Sequence, residues 1–384
     1  MLLTGTGRLA PAGISPWALL VRESRIAWIG SPSDAPDGER LDLGSALVTP
    51  GLVDSHTHPV FAGDRSDEAG ARSEGAPYTD GGILRTVRAT RQADDATLER
   101  LVEARLRAAL AAGTTTVECK SGYGLLLSEE LRHLRIIGRV AERLPLRVMR
   151  TFLGAHAVPP DASSMAEYAA QVAGEMIPAV AGERLADFVD VFADAGFFDL
   201  AATERIGRSA TAAGLGLRLH AEQLQRTGAV ELGIRLDAAS VDHLEQLDGA
   251  GVGSLARSRT VATLLPAPAV VLRDRMPPAR ALLDAGATVA LASDANAGTF
   301  GAFGAMPLII GLGATMLEMT VGEALLAATS GGAAALRRDD VGSLRAGMAA
   351  DLVAWDAEHE GAFALHLGGV RPLRVWIAGD EIPL

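Results

Sequence analysis

The sequence predicts an α/β fold: a (β/α)8 TIM barrel carrying a small β-sandwich domain built from both chain termini. Three observations predict it. Eight short apolar runs of strand length recur through the middle of the chain, amphipathic segments of helical length separate several of them, and hairpin-like pairs of short runs occur only near the two ends.

Taken in order, residues 18–29 (ALLVRESRIAWI) are two apolar runs around a polar turn, the pattern of a β-hairpin. The barrel strands are predicted at residues 47–54, 115–120, 147–153, 188–192, 217–220, 239–243, 260–265 and 288–293. Residues 96–112, 128–144 and 203–213 show the apolar spacing of helices packed on a sheet. The C-terminal tail returns to short strands, at 351–356 (DLVAWD) and 374–377 (RVWI), the second followed by a Gly379-Asp380 turn. The expected division is a composite β domain of residues 1–48 and 341–384 around a barrel of residues 49–340.

Composition bounds the function. A chain of 384 residues can bury a barrel-sized core, and its 48% hydrophobic and 21% charged residues are ordinary for a globular protein. The net charge of -12 argues against nucleic acid or an anionic membrane as partner. It also requires a local cation to capture any anionic ligand. Cys119 is the only cysteine, which excludes an intrachain disulfide and fits a reducing cytoplasm. No stretch reads as a signal peptide or a membrane span.

In a (β/α)8 barrel the chemistry belongs at the C-terminal ends of the strands. Five of the eight histidines fall there: His56 and His58 after the first strand, His156 after the third, His220 at the fifth and His243 at the sixth; Asp294 ends the eighth. Residues two apart on a strand point the same way, so His56 and His58 can reach one cation, with His220 and Asp294 completing the set from across the barrel. Three imidazoles and one carboxylate suit Zn²⁺ or Fe²⁺, with Fe³⁺ also compatible. The region after the fourth strand has no lysine to bridge a second metal, so one ion per chain is expected.

Other residues admit plain readings. His133, beside Arg132 and Arg135, reads as a solvated helix residue, and His359 and His366 as surface residues. Asp54 would cap a turn or orient a histidine. Glu118 and Lys120 form either a buried ion pair or a substrate contact, and Cys119 between them reads as packing.

Residues 50–65 (PGLVDSHTHPVFAGDR), 81–91 (GGILRTVRATR), 117–124 (VECKSGYG), 153–159 (LGAHAVP), 220–223 (HAEQ), 241–245 (VDHLE) and 293–299 (SDANAGT) resemble the amidohydrolase superfamily and, within it, the imidazolonepropionase family. The resemblance runs over nearly the whole chain, and the KSGYG and GGIL–TVRATR segments are its most specific parts. It implies hydrolysis of the ring amide of a small anionic heterocycle, 4-imidazolone-5-propanoate, by metal-activated water in histidine degradation, and a homodimer. It implies metal ligation by His56, His58, His220 and Asp294, with Asp294 also shuttling the proton and His243 beside the reacting carbonyl. It implies substrate contacts from Arg65, Tyr78, Tyr123, His156, Gln223, Asn296, Gly298 and Thr299. The chain departs from the family at Ala193-Asp194-Ala195, where a cysteine and an acid are frequent, and at Gln223, where some members have Glu.

Rival readings remain. A heterocycle deaminase on this barrel would place a glutamate three residues after His220, and a glutamine amide cannot carry its proton. A hydantoinase-like hydrolase would use Arg65 equally well. A non-catalytic metal-binding scaffold would more readily have lost Asp294 or His243.

Overall fold

The computed structural model describes residues 1–75 and 81–383. Its centre is a parallel eight-stranded sheet: β1 (Leu52–Asp54), β2 (Thr114–Lys120), β3 (Arg147–Ala155), β4 (Phe188–Ala193), β5 (Gly216–Ala221), β6 (Ser240–His243), β7 (Val261–Leu264) and β8 (Val289–Leu291), each paired with its neighbour in sequence. Helices cover the outer face of the strands and the barrel's own interior the other. The strand residues are accordingly buried almost throughout, β3 entering through a partly exposed first turn of sequence. The helix Asp95–Ala111 shows how one flanking element is specified. Asp94 caps it by accepting from the Thr97 amide, and Leu98, Val102, Leu106 and Leu110 bury one stripe against the sheet. Each such leucine contributes roughly 1.5–3 kcal/mol by leaving water.

The ring closes between β1 and β8 just beyond the strand ends. The Asp294 amide donates to His56 O at 3.0 Å, and the His58 amide to Ala295 O at 2.9 Å. Asp54, expected to cap a turn or to orient a histidine, turns its side chain to Ser293 just beyond β8. Its carboxylate accepts from the Ser293 amide at 3.0 Å and hydroxyl at 2.6 Å, fastening the same seam. The closing bonds therefore carry Asp294 to the histidines of β1.

Two four-stranded sheets form the smaller unit. One contains Leu2–Gly5, Trp17–Arg22, Arg25–Gly30 and Arg40–Asp42; the other contains Leu47–Pro50, Leu352–Trp355, Pro372–Ile377 and Asp380–Ile382. Trp17, Leu19, Leu352 and Trp376 belong to one buried cluster shared by the two sheets. The N-terminal hairpin turns at Glu23-Ser24, both with positive φ, as a two-residue hairpin loop requires. The single strand expected at residues 47–54 is divided at Gly51. Residues before it pair with Leu352–Trp355, and those after it enter the barrel. A Cβ at Gly51 would lie 2.1 Å from Thr115 Oγ1, so only glycine lets the chain cross there.

Candidate active site at the C-terminal end of the barrel

His56 and His58, just beyond β1, and His220, in β5, converge on one point, with ligand atoms within 4.8 Å of one another. His56 Nε2 lies 3.2 Å from both His58 Nε2 and His220 Nε2. Asp294 Oδ1 lies 3.3 Å from His58 Nε2 and 3.6 Å from His56 Nε2. His56 Nδ1 is 2.6 Å from Asp242 Oδ2, and a carboxylate only accepts, so Nδ1 carries the proton and Nε2 presents a lone pair. His220 Nδ1 stands 3.1 Å from Asp190 Oδ2, in ion-pair range without hydrogen-bond geometry, and the carboxylate there favours a proton on Nδ1. Convergent lone pairs and a carboxylate in a solvent-poor site repel one another. A cation between them removes that repulsion, so the residues present fit a metal ion.

Beneath this centre lies a fully buried lattice of charge. Lys120 Nζ sits 2.7 Å from Glu118 Oε1 and 2.8 Å from Asp190 Oδ2. Arg218 Nη2 sits 2.9 Å from Asp242 Oδ2. Burial alone would lower the Lys120 ammonium, but Asp190 and Glu118 outweigh it and hold the charge. Lys120 and Glu118 are thus a buried ion pair, and Lys120 steadies the carboxylate that faces His220. Cys119 between them is buried, and burial pushes its thiol well up.

Around the metal-fitting point runs a cleft lined by Arg65, Tyr123, His156, Gln223 and Thr299, with His243 and Asn296 beside them. His156 Nδ1 donates to Gly122 O at 2.9 Å, which leaves Nε2 toward the cleft. Glu130 accepts from the Gly122, Gly124 and Leu125 amides, and Arg91 donates to Gly124 O at 2.7 Å. These bonds fix the loop that carries Tyr123 and show why the TVRATR and KSGYG segments occur together. Gln223 is placed by Asp194, whose carboxylate accepts from the Gln223, Leu224 and Gln225 amides. Asn296 commits its amide to its own loop: it donates to Asp294 O and Thr299 Oγ1 and accepts from the Gly298 and Thr299 amides.

Arg65 is 6% exposed, and one edge of its guanidinium is already committed. Its Nε and Nη2 both donate to Glu68 Oε2, at 2.9 and 2.7 Å, leaving Nη1 without a partner among the described residues. Gly298 packs against the guanidinium: a Cβ there would lie 2.2 Å from Arg65 Nη1. At the end of β6, His243 has φ +85° and Leu244 φ +73°; at the end of β8, Asp294 has φ +47°. Such strain in non-glycine residues persists where surrounding structure enforces it. Burial alone would lower the His243 imidazolium, but the Glu245 carboxylate, 3.5 Å from Nδ1, outweighs it and raises its pKa.

Tyr78 lies outside the described residues. His133 is not solvated: it is fully buried in the helix Leu127–Ala141, and burial pushes its pKa down to about 3. His359 and His366 are exposed, as expected. Ile83 and Phe192 also line the cleft and were not anticipated; both are apolar and carry no signal of a site in the sequence.

The amidohydrolase family model matches residues 47–382. The chain is 46% identical over 380 residues to an imidazolonepropionase of Streptomyces avermitilis, covering 98% of this chain and 90% of that one. It is 48% identical over 344 residues to an imidazolonepropionase of Salinispora arenicola, covering 88% and 86%. Among solved structures it resembles a 5-methylcytosine deaminase from Klebsiella pneumoniae, with TM-score 0.81, 16% identity, and coverage of 100% of this chain and 97% of that one; that likeness concerns the fold. Sequence identity at this level over nearly the full length establishes that the chain belongs to the amidohydrolase family and, within it, to the imidazolonepropionases.

Proposed function

We propose that the chain hydrolyses the ring amide C–N bond of 4-imidazolone-5-propanoate to give N-formimino-L-glutamate in histidine degradation. The observation that carries this reading is one cleft that joins the convergent His56, His58, His220 and Asp294 to the buried cation Arg65. The first group fits a hydrolytic metal and the second fits a propanoate carboxylate.

His56, His58, His220 and Asp294 would hold one divalent ion, Zn²⁺ or Fe²⁺. When bound, such an ion supplies Lewis acidity that brings the pKa of water to near 7. Asp294 accepts the proton of the attacking water and delivers it to the departing ring nitrogen. Oxygen thus adds to the carbonyl carbon, the C–N bond breaks, and the proton ends on nitrogen. His243 donates to the carbonyl oxygen as negative charge develops; loss of one such donor costs roughly 3–4 kcal/mol of barrier. Arg65 captures the propanoate through the guanidinium nitrogen not committed to Glu68, and Tyr123, His156, Gln223 and Thr299 contact the ring and tail. Asn296 and Gly298 contribute by shaping the loop under Arg65, and Tyr78 adds a hydroxyl.

Gln223 distinguishes this reaction from deamination, because its amide does not ionise near neutral pH. We further infer that the reaction takes place in the cytoplasm, in keeping with the lone buried Cys119, and that the chain acts as a homodimer. Among the described residues no helix is long and apolar enough to cross a membrane. The test is loss of imidazolone absorbance with purified enzyme, alongside metal and ammonia analysis. Turnover without ammonia supports the reading, whereas stoichiometric ammonia replaces it with a deaminase. No turnover by metal-loaded protein, together with cleavage of a hydantoin acid, moves it to a hydantoinase-like substrate.

A further inference from the structure

We propose that Glu245 is a positioning residue for this reaction: it holds the His243 ring by its Nδ1 edge, so that Nε2 is presented to the substrate carbonyl. The proposal rests on the reading that His243 polarises that carbonyl.

Glu245 and His243 are each 2% exposed. Glu245 Oε1 stands 3.5 Å from His243 Nδ1. Among the described residues no lysine or arginine pairs with Glu245, and His243 Nδ1 and Glu245 Oε2 have no hydrogen-bond partner. A buried carboxylate without a cation is costly, and it persists where something compensates it. Here the compensating group is the imidazole. A carboxylate only accepts, so it fixes a proton on Nδ1, and its charge offsets the positive charge that the ring carries when Nε2 also donates. The backbone agrees with this role. His243 and Leu244 are two successive residues in the left-handed region, each costing of order 1–3 kcal/mol, and that strain falls where these two side chains meet. The 3.5 Å gap is longer than a hydrogen bond, and a small turn of the ring closes it; catalytic hydrogen bonds often tighten only around substrate. Asp294, Asp242 and Asp274 are the further acids near this pair, and His56 and His220 the neighbouring rings. Both of those rings face the metal-fitting point. Glu245 is therefore the acid placed to act on His243 without being drawn to the metal.

The test is a double-mutant cycle on metal-loaded enzyme: Glu245→Gln, His243→Ala and the pair together, with kcat and KM for 4-imidazolone-5-propanoate, metal content and melting temperature for each. The proposal expects Glu245→Gln to lower kcat roughly 10–100-fold with KM and metal content unchanged. It expects the double variant to be no slower than His243→Ala alone. A Glu245→Gln enzyme at full kcat, or a double variant slowed by the product of the two single effects, overturns it. Glu245→Met, which removes the buried charge at similar volume, gives the same cycle if the glutamine variant does not fold. His243→Ala at full activity would overturn the carbonyl-polarising role itself. A dead His243→Ala beside a fully active Glu245→Gln overturns only the assignment of Glu245.

Discussion

Substituting Gly298 by alanine probes the carboxylate site without touching a charge. The added Cβ would lie 2.2 Å from Arg65 Nη1 and 2.6 Å from Cζ. Relieving the shorter approach to an ordinary 3.4 Å contact moves the guanidinium by about 1.2 Å. Glu68 holds the opposite edge of Arg65, so the displacement falls on the edge available to substrate. A misplacement of about 1 Å can cost on the order of 100-fold, and a hydrogen bond to a charged group is worth about 1.5–3 kcal/mol. Gly298→Ala should therefore lower kcat/KM for 4-imidazolone-5-propanoate by roughly 10–100-fold, chiefly through KM. Gly301→Ala in the same loop is the control, since its Cβ meets only Asn296 O at 3.9 Å. Steady-state kinetics with metal content and melting temperature for both variants decides the matter. An unchanged KM in Gly298→Ala, or an equal loss in Gly301→Ala, would refute the placement of the carboxylate on Arg65.

His220→Ala should lose metal, measured by elemental analysis after dialysis, whereas His243→Ala should keep it; both should lose turnover. Asp294→Asn should leave the fold intact but abolish turnover, read from circular dichroism and the absorbance assay. Lys120→Met takes the nearest cation from buried Glu118 and Asp190, leaving Glu118 only the 3.8 Å approach of Arg218, and should destabilise the chain by about 3–5 kcal/mol in denaturant titration. The acid limb of stability should depend on His133. Its folded pKa of about 3 lies below the unfolded value of 6.5, so the unfolded chain binds the extra proton. That contribution is fully present above pH 6.5 and is lost as pH falls toward 3, by up to about 5 kcal/mol. His133→Leu should move the midpoint of acid unfolding to lower pH, and an unmoved midpoint would mean that His133 does not govern it.

The convergence of the candidate site's side chains at one end of the barrel was legible because a strand period and the barrel's polarity coincide. The two-residue repeat continued just past β1 puts His56 and His58 on one side, and the barrel's polarity puts His156, His220, His243 and Asp294 at the same end. What was hidden depends on partners distant in sequence. Gly51 sits in an apolar run that reads as one strand, and only the Thr115 side chain on the neighbouring strand β2 shows why the chain must change sheets there. His133 is flanked by arginines whose guanidinium groups reach out to Asp95 and Glu183, while Glu130, Leu131, Leu134 and Ile137 turn inward with it. The buried stripe of that helix is wider than its charges imply. Lys120 could not be told from a substrate contact until Asp190, from β4, closed its ion pair. The pairing of Arg65 was hidden because Glu68 looks like any surface acid until the helix Ser66–Ser73 turns it back onto the guanidinium. The roles of Asp194 and Glu130 were invisible because each holds backbone amides, which leave no mark in side-chain identity.

The most direct test of ring-amide hydrolysis at this site is mass spectrometry of the product formed in ¹⁸O-labelled water. The account predicts a product equal to substrate plus one water, with a single ¹⁸O in a new carboxylate and both ring nitrogens retained. A product that has exchanged one nitrogen for oxygen, with ammonia released, would contradict it.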